Sequence, residues 1–214
     1  MDKQSGFTLI EIAIVLVIIG LLLGGIIKGQ EMIDNARIRN LRSDFEGIAA
    51  ALHAYRDRYQ RVPGDDERAD RWSGGTVGNG DSYLEDRNDA FDVGPIGNHE
   101  RRWFWQHLRR AGLLKGDPAD ANHPSHAFGG QFGVVSGNGN NPLGLNGPVV
   151  LCASMVPLKA AEALDMQLDD GRPDTGDIRA QAQTSAATDP GNAGTVAARY
   201  AEAVGTTYAV CQAL

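Results

Sequence analysis

An apolar stretch near the N-terminus constrains this chain more than any other feature. From Phe7 to Ile27 the sequence reads FTLIEIAIVLVIIGLLLGGII, in which Thr8 and Glu11 interrupt an otherwise apolar run. About 20 such residues are enough for a helix to cross the hydrocarbon core of a bilayer. A cleaved secretory signal has a shorter apolar region followed by an A-x-A-like site, and the following LLLGGIIKGQEM offers none. The sequence therefore predicts a membrane segment without cleavage behind it.

The residues before this stretch predict its orientation. The leader MDKQSG is polar and carries Lys3 beside the initiator amine. Positive charges at the end of a membrane helix favour the cytoplasmic side. We therefore expect residues 28–214 to lie outside the cytoplasm.

Glu11 is the anomaly in the apolar stretch. A carboxylate inside a membrane span is costly, about 2.5 to 3.5 kcal/mol on insertion scales for a comparable Asp. Such a group usually has a partner and a function. The alternative is an ordinary signal anchor that tolerates a glutamate near the membrane surface.

The string Gly6-Phe7-Thr8-Leu9-Ile10-Glu11 resembles the prepilin processing motif of type IV pilins and type II secretion pseudopilins. The resemblance implies cleavage between Gly6 and Phe7 by a prepilin peptidase, N-methylation of Phe7 and a role for Glu11 in assembly. In a helix the carboxylate then lies about 6 Å along the axis from the new amine. Opposite charges on axially shifted neighbours would neutralise each other in the apolar core of a filament.

The same resemblance implies partners and a location. The partners are the prepilin peptidase, an inner-membrane assembly platform, other pilins in a homo- or hetero-oligomeric filament, and the lipid bilayer before assembly. The location is the bacterial inner membrane, with a single span and a periplasmic head, followed by a pilus or pseudopilus. A pilus would carry the chain to the cell surface.

The helix is predicted to continue beyond the membrane. Apolar residues recur at steps of three and four, which places them on one helical face: Ile38, Leu41, Phe45, Ile48, Leu52, Tyr55 and Tyr59. No proline occurs before Pro63, so one helix is expected from about Phe7 to about Gln60, close to 80 Å long. Glycines 20, 24, 25 and 29 are positions where it can bend. A coiled-coil seam is the alternative for the apolar face.

The remainder predicts an α+β head. Residues 64–98 are rich in Gly, Asp and Asn and predict a long surface loop. Helices are expected at Glu100–Leu114 and from Pro157 to near Gly171, with four antiparallel strands at 131–135, 148–153, 178–182 and 206–211. The long helix is expected to pack on this sheet, as in pilins. The predicted divisions are a leader at 1–6, a membrane or filament-core helix at 7–28, its amphipathic half at 29–60 and the head at 61–214.

The two cysteines predict a disulfide. Cys152 lies in an apolar strand and Cys211 lies near the C-terminus, in a compartment that the predicted topology makes oxidising. Two buried free thiols are the alternative. The pair also resembles the disulfide that bounds the C-terminal loop of many type IV pilins, and it is less typical of major pseudopilins.

Two acidic segments are weak calcium candidates, because carboxylates are the hard oxygen ligands that calcium takes. One contains Asp169, Asp170, Asp174 and Asp177, and the other contains Asp81, Glu85, Asp86, Asn88 and Asp89. Neither follows the EF-hand spacing, so turn formation is the favoured interpretation and no cofactor is predicted.

Other chemistry is not indicated by the sequence. His123 and His126 have no companions at a metal-site spacing, and Ser136 and Ser154 lie in no nucleophile elbow. The chain is therefore not expected to be an enzyme. Its net charge of -7 argues against sequence-independent nucleic-acid binding. The three tryptophans, at 72, 103 and 105, are interpreted as core residues in preference to an adhesion surface.

Three functions remain open at this point. The leading one is a structural subunit of a type IV pilus-like filament. The second is a pseudopilin of a type II secretion system. The third is a monomeric, membrane-anchored periplasmic binding module that keeps its leader.

Overall fold

The computed structural model of the chain describes residues 8–84, 90–91, 99–137, 142–183, 196–201 and 206–214. The chain forms two compact units, Met1–Arg39 and Asn40–Leu214. The first helix, α1, spans Leu9–Tyr59 and contributes to both. The predicted boundaries after residues 6, 28 and 60, which separate leader, membrane helix, amphipathic half and head, remain predictions.

Within the second unit, α1 buries one apolar face. Its large buried side chains follow steps of four and three along the helix, as the sequence predicts: Leu41, Phe45, Ile48, Leu52 and Tyr55. Each buried side chain of this size contributes about 1.5 to 3 kcal/mol relative to an exposed one. This face therefore holds the helix to the head.

The head contains a four-stranded antiparallel sheet with the order β1-β2-β4-β3. The strands are β1 Phe132–Val135, β2 Val150–Pro157, β3 Ile178–Gln183 and β4 Thr207–Ala213. This confirms the predicted α+β class. Strand β2 begins two residues later and ends four residues later than predicted, with a bulge between Ala153 and Val156 where it pairs with β4.

The two faces of the sheet bury different clusters, because successive side chains in a strand alternate between faces. On one face Phe132 packs edge-on against Phe45 of α1, with ring centroids 5.3 Å apart. The opposite face carries a second buried cluster: Ala90, Phe91, Val135, Leu143, Leu145, Val150, Cys152, Ala209 and Cys211. Gly133 admits the 90–91 segment, because a Cβ there would collide with the Ala90 carbonyl.

Two short α-helices lie in the described part of the head. Helix α2 spans Glu100–Arg110 and is four residues shorter than predicted, because the chain turns at Gly112 with φ +72°. Helix α3 spans Leu158–Leu168. Pro157 precedes it in an extended conformation as the last residue of β2, so α3 begins one residue later than predicted.

The prediction that residues 64–98 form a surface loop is wrong for its first part. Asp65 and Asp66 are buried. Asp65 accepts hydrogen bonds from the backbone N–H groups of Gly80, Asp81 and Ser82, so the carboxylate organises a closed turn. Residues 85–89, which include most of the second acidic segment, lie outside the described residues.

Candidate assembly site at the start of the N-terminal helix

Thr8 and Glu11 form a reciprocal pair at the start of α1. The Thr8 N–H and the Thr8 hydroxyl each donate a 2.7 Å hydrogen bond to Oε2 of Glu11. The Glu11 N–H donates in return to the Thr8 hydroxyl at 3.3 Å. This is a capping box, in which the N-cap residue and the third helical residue satisfy each other's free backbone donors. The carboxylate of Glu11 is therefore fixed at the helix N-terminus, where the helix dipole favours negative charge.

The second oxygen of Glu11 remains available. Among the described residues, Oε1 has no hydrogen-bond partner, whereas Oε2 accepts two hydrogen bonds from Thr8. A carboxylate offers about four acceptor positions. Glu11 is therefore held in place by its own chain while keeping capacity for a further cationic donor.

The helix that carries this pair exposes its apolar side chains. Leu9 is 92% and Leu21 74% exposed, and the apolar residues between Leu9 and Ile33 are largely uncovered. Among the described residues, α1 is the helix long and apolar enough to cross a membrane, and the apolar window has a mean hydropathy of 2.9. A surface of this extent requires a membrane or other protein chains around it.

The glycines of this segment leave open space along the helix. A Cβ added at Gly20, Gly24, Gly25 or Gly29 would meet no atom within 4 Å. The helix runs unbroken through all four positions. Small residues on an apolar helix let a second helix approach closely. Gly6 and Phe7, the predicted cleavage and methylation positions, lie outside the described residues.

The predicted disulfide is present in the head. Cys152 of β2 and Cys211 of β4 are bonded, and the two residues lie directly opposite each other in adjacent strands. Both are fully buried. The bond therefore links the second strand to the last strand and encloses α3 and β3 in its loop.

The first acidic segment is organised by its own hydrogen bonds. Asp170 accepts from the Thr175 hydroxyl and the Arg172 N–H, and Asp169 accepts from the Ile178 N–H. The structure brings Asp169 and Asp170 together with Asp165. One carboxylate oxygen from each of the three residues lies within 4.8 Å of the other two. Two other members of the predicted set, Asp174 and Asp177, lie outside that group of the described residues.

Asp165 itself is buried and accepts from the Tyr200 hydroxyl at 2.7 Å and from the Gly171 N–H at 3.0 Å. Burial raises the pKa of this carboxyl against the lowering effect of both hydrogen bonds. This residue was not among the predicted calcium candidates. Its position in α3, one helical turn before Asp169, could have identified it.

Trp105 and His126 lie in the core of the head. Trp105 is fully buried, whereas Trp72 and Trp103 are half-buried. His126 is a loop residue, as predicted, yet it is buried and hydrogen-bonds the Ser154 carbonyl at 2.8 Å. Burial lowers the pKa of His126. The core interpretation is confirmed for Trp105 only, because Trp72 and Trp103 are half-buried.

With this geometry established, residues 1–27 match the family model described as the prokaryotic N-terminal methylation motif. The chain carries the type IV pilin and pseudopilin signature. The motif and the long apolar helix fit a pilin-like substrate of prepilin peptidase that is anchored in a membrane and assembles with other pilins. Neither a curated protein nor a solved structure matches the chain.

Thr8 is the residue of this candidate assembly site that the sequence alone did not single out. Its signal was present, because Thr8-Leu9-Ile10-Glu11 fits the T-x-x-E pattern of a capping box directly before an apolar run. From the sequence, the expected partner of Glu11 is the amine of a neighbouring chain. The structure supplies a local partner as well.

Proposed function

We propose that this chain is a structural subunit of a type IV pilus-like filament and has no catalytic activity of its own. A prepilin peptidase cleaves between Gly6 and Phe7, and the new N-terminal Phe7 is N-methylated. The processed chain leaves the membrane when its N-terminal helix packs among the helices of other subunits. The head remains in the periplasm during this step and then forms the surface of the filament.

The state of Glu11 is the observation that carries the proposal. Its carboxylate is fixed by Thr8 through one oxygen, and the other oxygen has no partner among the described residues. Cleavage creates a cationic amine at the same end of the helix. An ion pair across two chains becomes favourable when both groups leave water for an apolar core, because either charge alone would be strongly disfavoured there.

The pairing also provides a register between subunits. A neighbour shifted along the filament axis presents its Phe7 amine to the free oxygen of Glu11. Electrostatic complementarity of this kind selects one relative position from the many that an apolar helix surface would allow. Burial of the exposed apolar area supplies most of the free energy of association. The charge pair defines the axial displacement between neighbouring subunits.

A pseudopilin of a type II secretion system is the second candidate, because the matched motif is common to both classes. The Cys152–Cys211 disulfide favours the pilus, since such a bond is less typical of major pseudopilins. In either role the chain polymerises through the same helix.

The test combines processing and location. Mass spectrometry of the mature protein is expected to find a chain that begins at a methylated Phe7, and the shear fraction of cells is expected to contain fibres of this chain. An intact Met1 with unmodified Phe7 would contradict the filament function and favour an anchored binding module. Loss of secreted enzymes after deletion, without surface fibres, would favour the pseudopilin.

A further inference from the structure

Two Asx-Gly pairs in the head, in which a glycine follows an asparagine or an aspartate, share one arrangement. Asn79-Gly80 lies in the turn that Asp65 organises, and Asp170-Gly171 lies in the loop between α3 and β3. Asn79 and Asp170 are exposed, and both glycines have a φ of +79°. Each exposed side chain accepts through Oδ1 from the N–H two positions ahead, at 2.9 Å for Asn79 and 2.8 Å for Asp170. The two turns are therefore built alike.

A buried carboxylate holds the glycine N–H in both turns. Gly80 donates to Oδ1 of Asp65 at 2.6 Å. Gly171 donates to Oδ1 of Asp165 at 3.0 Å. Both carboxylates are buried, which is costly for such a group unless it is hydrogen-bonded. The same kind of buried group therefore contacts the same backbone atom at two separate places.

This contact is not a general feature of Asx-Gly pairs. The sequence contains two further pairs, of which Asn138-Gly139 lies outside the described residues. In Asn146-Gly147 the glycine N–H makes no hydrogen bond to a carboxylate among the described residues, and the Gly147 carbonyl accepts from the Gly137 N–H at 2.9 Å. An Asx-Gly turn can thus form without the carboxylate, which calls for a separate explanation where it is present.

Asx-Gly pairs are chemically labile, because glycine has no Cβ to hinder attack of its backbone nitrogen on the preceding side chain. The nitrogen loses its proton to a solvent base and forms a bond to Cγ, which gives a cyclic succinimide. At Asn79 the bond between Cγ and Nδ2 breaks and the nitrogen leaves as ammonia after taking up a proton, whereas at Asp170 a carboxyl oxygen leaves as water. Water then opens the ring, and one product is isoaspartate, with an extra methylene in the backbone.

The buried carboxylates oppose the first step of this reaction. The attacking nitrogen must be deprotonated, and an anionic nitrogen beside a carboxylate is disfavoured by the like charge. The charge-assisted hydrogen bond also stabilises the protonated nitrogen. We propose that Asp65 and Asp165 protect the backbone of the two Asx-Gly pairs from succinimide formation. This protection does not depend on the filament function.

Conversion at residue 79 would disrupt the turn in which Asp65 is buried. The Asp65 carboxylate also accepts from the N–H groups of Asp81 and Ser82, and an extra methylene before Gly80 displaces all three donors. There is little room for a shift, because a Cβ at Gly80 would already lie 2.8 Å from Oε2 of Glu67. Protection of the pair therefore preserves the closed turn.

Incubation of the full chain in detergent at mildly alkaline pH tests the proposal. Peptide mass spectrometry measures the deamidation of Asn79, and fragmentation that distinguishes isoaspartate from aspartate measures the isomerisation of Asp170. Both conversions are expected to be about tenfold slower in the folded parent than in the same chain unfolded in guanidinium chloride. Equal rates in the two states would overturn the proposal.

Neutral variants assign the effect to each carboxylate. Asp65→Asn keeps an oxygen acceptor without the charge, so it is expected to accelerate conversion of Asn79 about tenfold and to leave Asp170 unchanged. Asp165→Asn is expected to have the reverse selectivity. Asp57→Asn removes an exposed carboxylate of α1 and should leave both rates at the parent values.

Three results with these variants would overturn the protection. Acceleration of both sites by each variant would show a general loss of stability. Unchanged rates would show that the carboxylates have no effect on the reaction. Slower conversion would show that a carboxylate acts as the base that removes the proton.

Amide hydrogen exchange gives a second measurement, because exchange above neutral pH removes the same proton from the nitrogen. The Gly80 amide is expected to exchange faster in Asp65→Asn than in the parent, with the Gly171 amide unchanged. This comparison reports on the local turn separately from global unfolding. A Gly80 amide that exchanges as in the parent would overturn the role of Asp65.

Discussion

The Tyr55 hydroxyl donates a 2.6 Å hydrogen bond to the carboxylate of Asp66, which joins α1 to the turn that follows it in the head. Arg71 donates two further hydrogen bonds to the same carboxylate, at 2.7 and 3.1 Å. Burial acts to raise the pKa of Asp66, but the hydrogen bonds from Arg71 and Tyr55 outweigh it and hold the pKa below its usual value. A buried, ionised carboxylate therefore links the helix to the head.

Removing the hydroxyl from this network is expected to destabilise the head. Tyr55→Phe keeps the ring and deletes one hydrogen bond to a charged group, which costs about 1.5 to 3 kcal/mol. The free energy of unfolding of the full chain in detergent, measured by urea titration, checks this value. Tyr59→Phe is the matched control, because Tyr59 is half-buried and its hydroxyl makes no hydrogen bond among the described residues. Equal losses in the two variants would contradict the account.

Loss of the disulfide is expected to lower the free energy of unfolding more than Tyr55→Phe does. Cys152 and Cys211 are separated by 59 positions in the sequence, and the chain-entropy relation gives about 4 kcal/mol for a loop of this length. Cys152→Ala combined with Cys211→Ala should lower the free energy of unfolding by about 2 to 5 kcal/mol. Urea titration of the oxidised parent, the reduced parent and the variant measures this. A reduced parent as stable as the oxidised one would refute the expectation.

His107 is expected to make the stability of the head depend on pH. Its Nδ1 accepts from the Gly64 N–H at 2.8 Å and its Nε2 lies 2.8 Å from the Thr76 carbonyl, so the neutral ring fits with the proton on Nε2. Gly64 makes this approach with φ +93°. Burial lowers the pKa of His107 from 6.5 to about 4. Between these values the unfolded chain binds a proton that the folded chain does not.

Stability must therefore fall as the pH is lowered from about 6.5 to about 4, and His107 contributes up to about 3 kcal/mol to that fall. Below pH 4 both states are protonated and this contribution stops changing. His107→Gln is expected to flatten the profile in this window, while the buried His126 leaves a residual slope. Unfolding curves at half-unit steps of pH compare the variant with the parent. Superimposable slopes would exclude this role for His107.

Calcium is expected to have little effect on the head. The carboxylates of Asp165, Asp169 and Asp170 already accept hydrogen bonds, from the adjoining loop and from the Tyr200 hydroxyl. A metal would have to replace these donors. We therefore expect the melting temperature of the full chain to be the same, within about 1 °C, in millimolar calcium and in a chelator. A rise of several degrees in calcium that disappears in Asp170→Asn would show a metal site instead.

The sequence was sufficient to predict the secondary-structure elements whose residue pattern is long or repeated. The unbroken apolar stretch and the steps of three and four predicted α1, and short apolar runs between turn residues predicted the four strands. The disulfide between Cys152 and Cys211 followed from the predicted membrane topology, which places the head in an oxidising compartment. The helix and strand signals each depend on many residues that favour the same structure.

The sequence was insufficient where single polar side chains are enclosed by distant segments. Asp65 and Asp66 have the composition of a surface turn, and their burial depends on residues 80–82, Arg71 and Tyr55. The continuation of β2 past Ala153 depends on a bulge at which Met155 has a φ of +55° and bonds to Gln183. No local pattern specifies such long-range contacts.

The central claim concerns the carboxylate at position 11, and the incorporation of Glu11→Ala beside the parent chain tests it most directly. Equal amounts of the two chains are expressed in one cell, and their ratio is measured in the membrane and in sheared filaments. We expect the variant to be cleaved and methylated normally, and to be at least tenfold depleted from the filaments. Glu11→Asp, which keeps the charge with a shorter reach, should be depleted less. Equal ratios in membrane and filament would contradict the claim that Glu11 balances the amine of a neighbouring subunit.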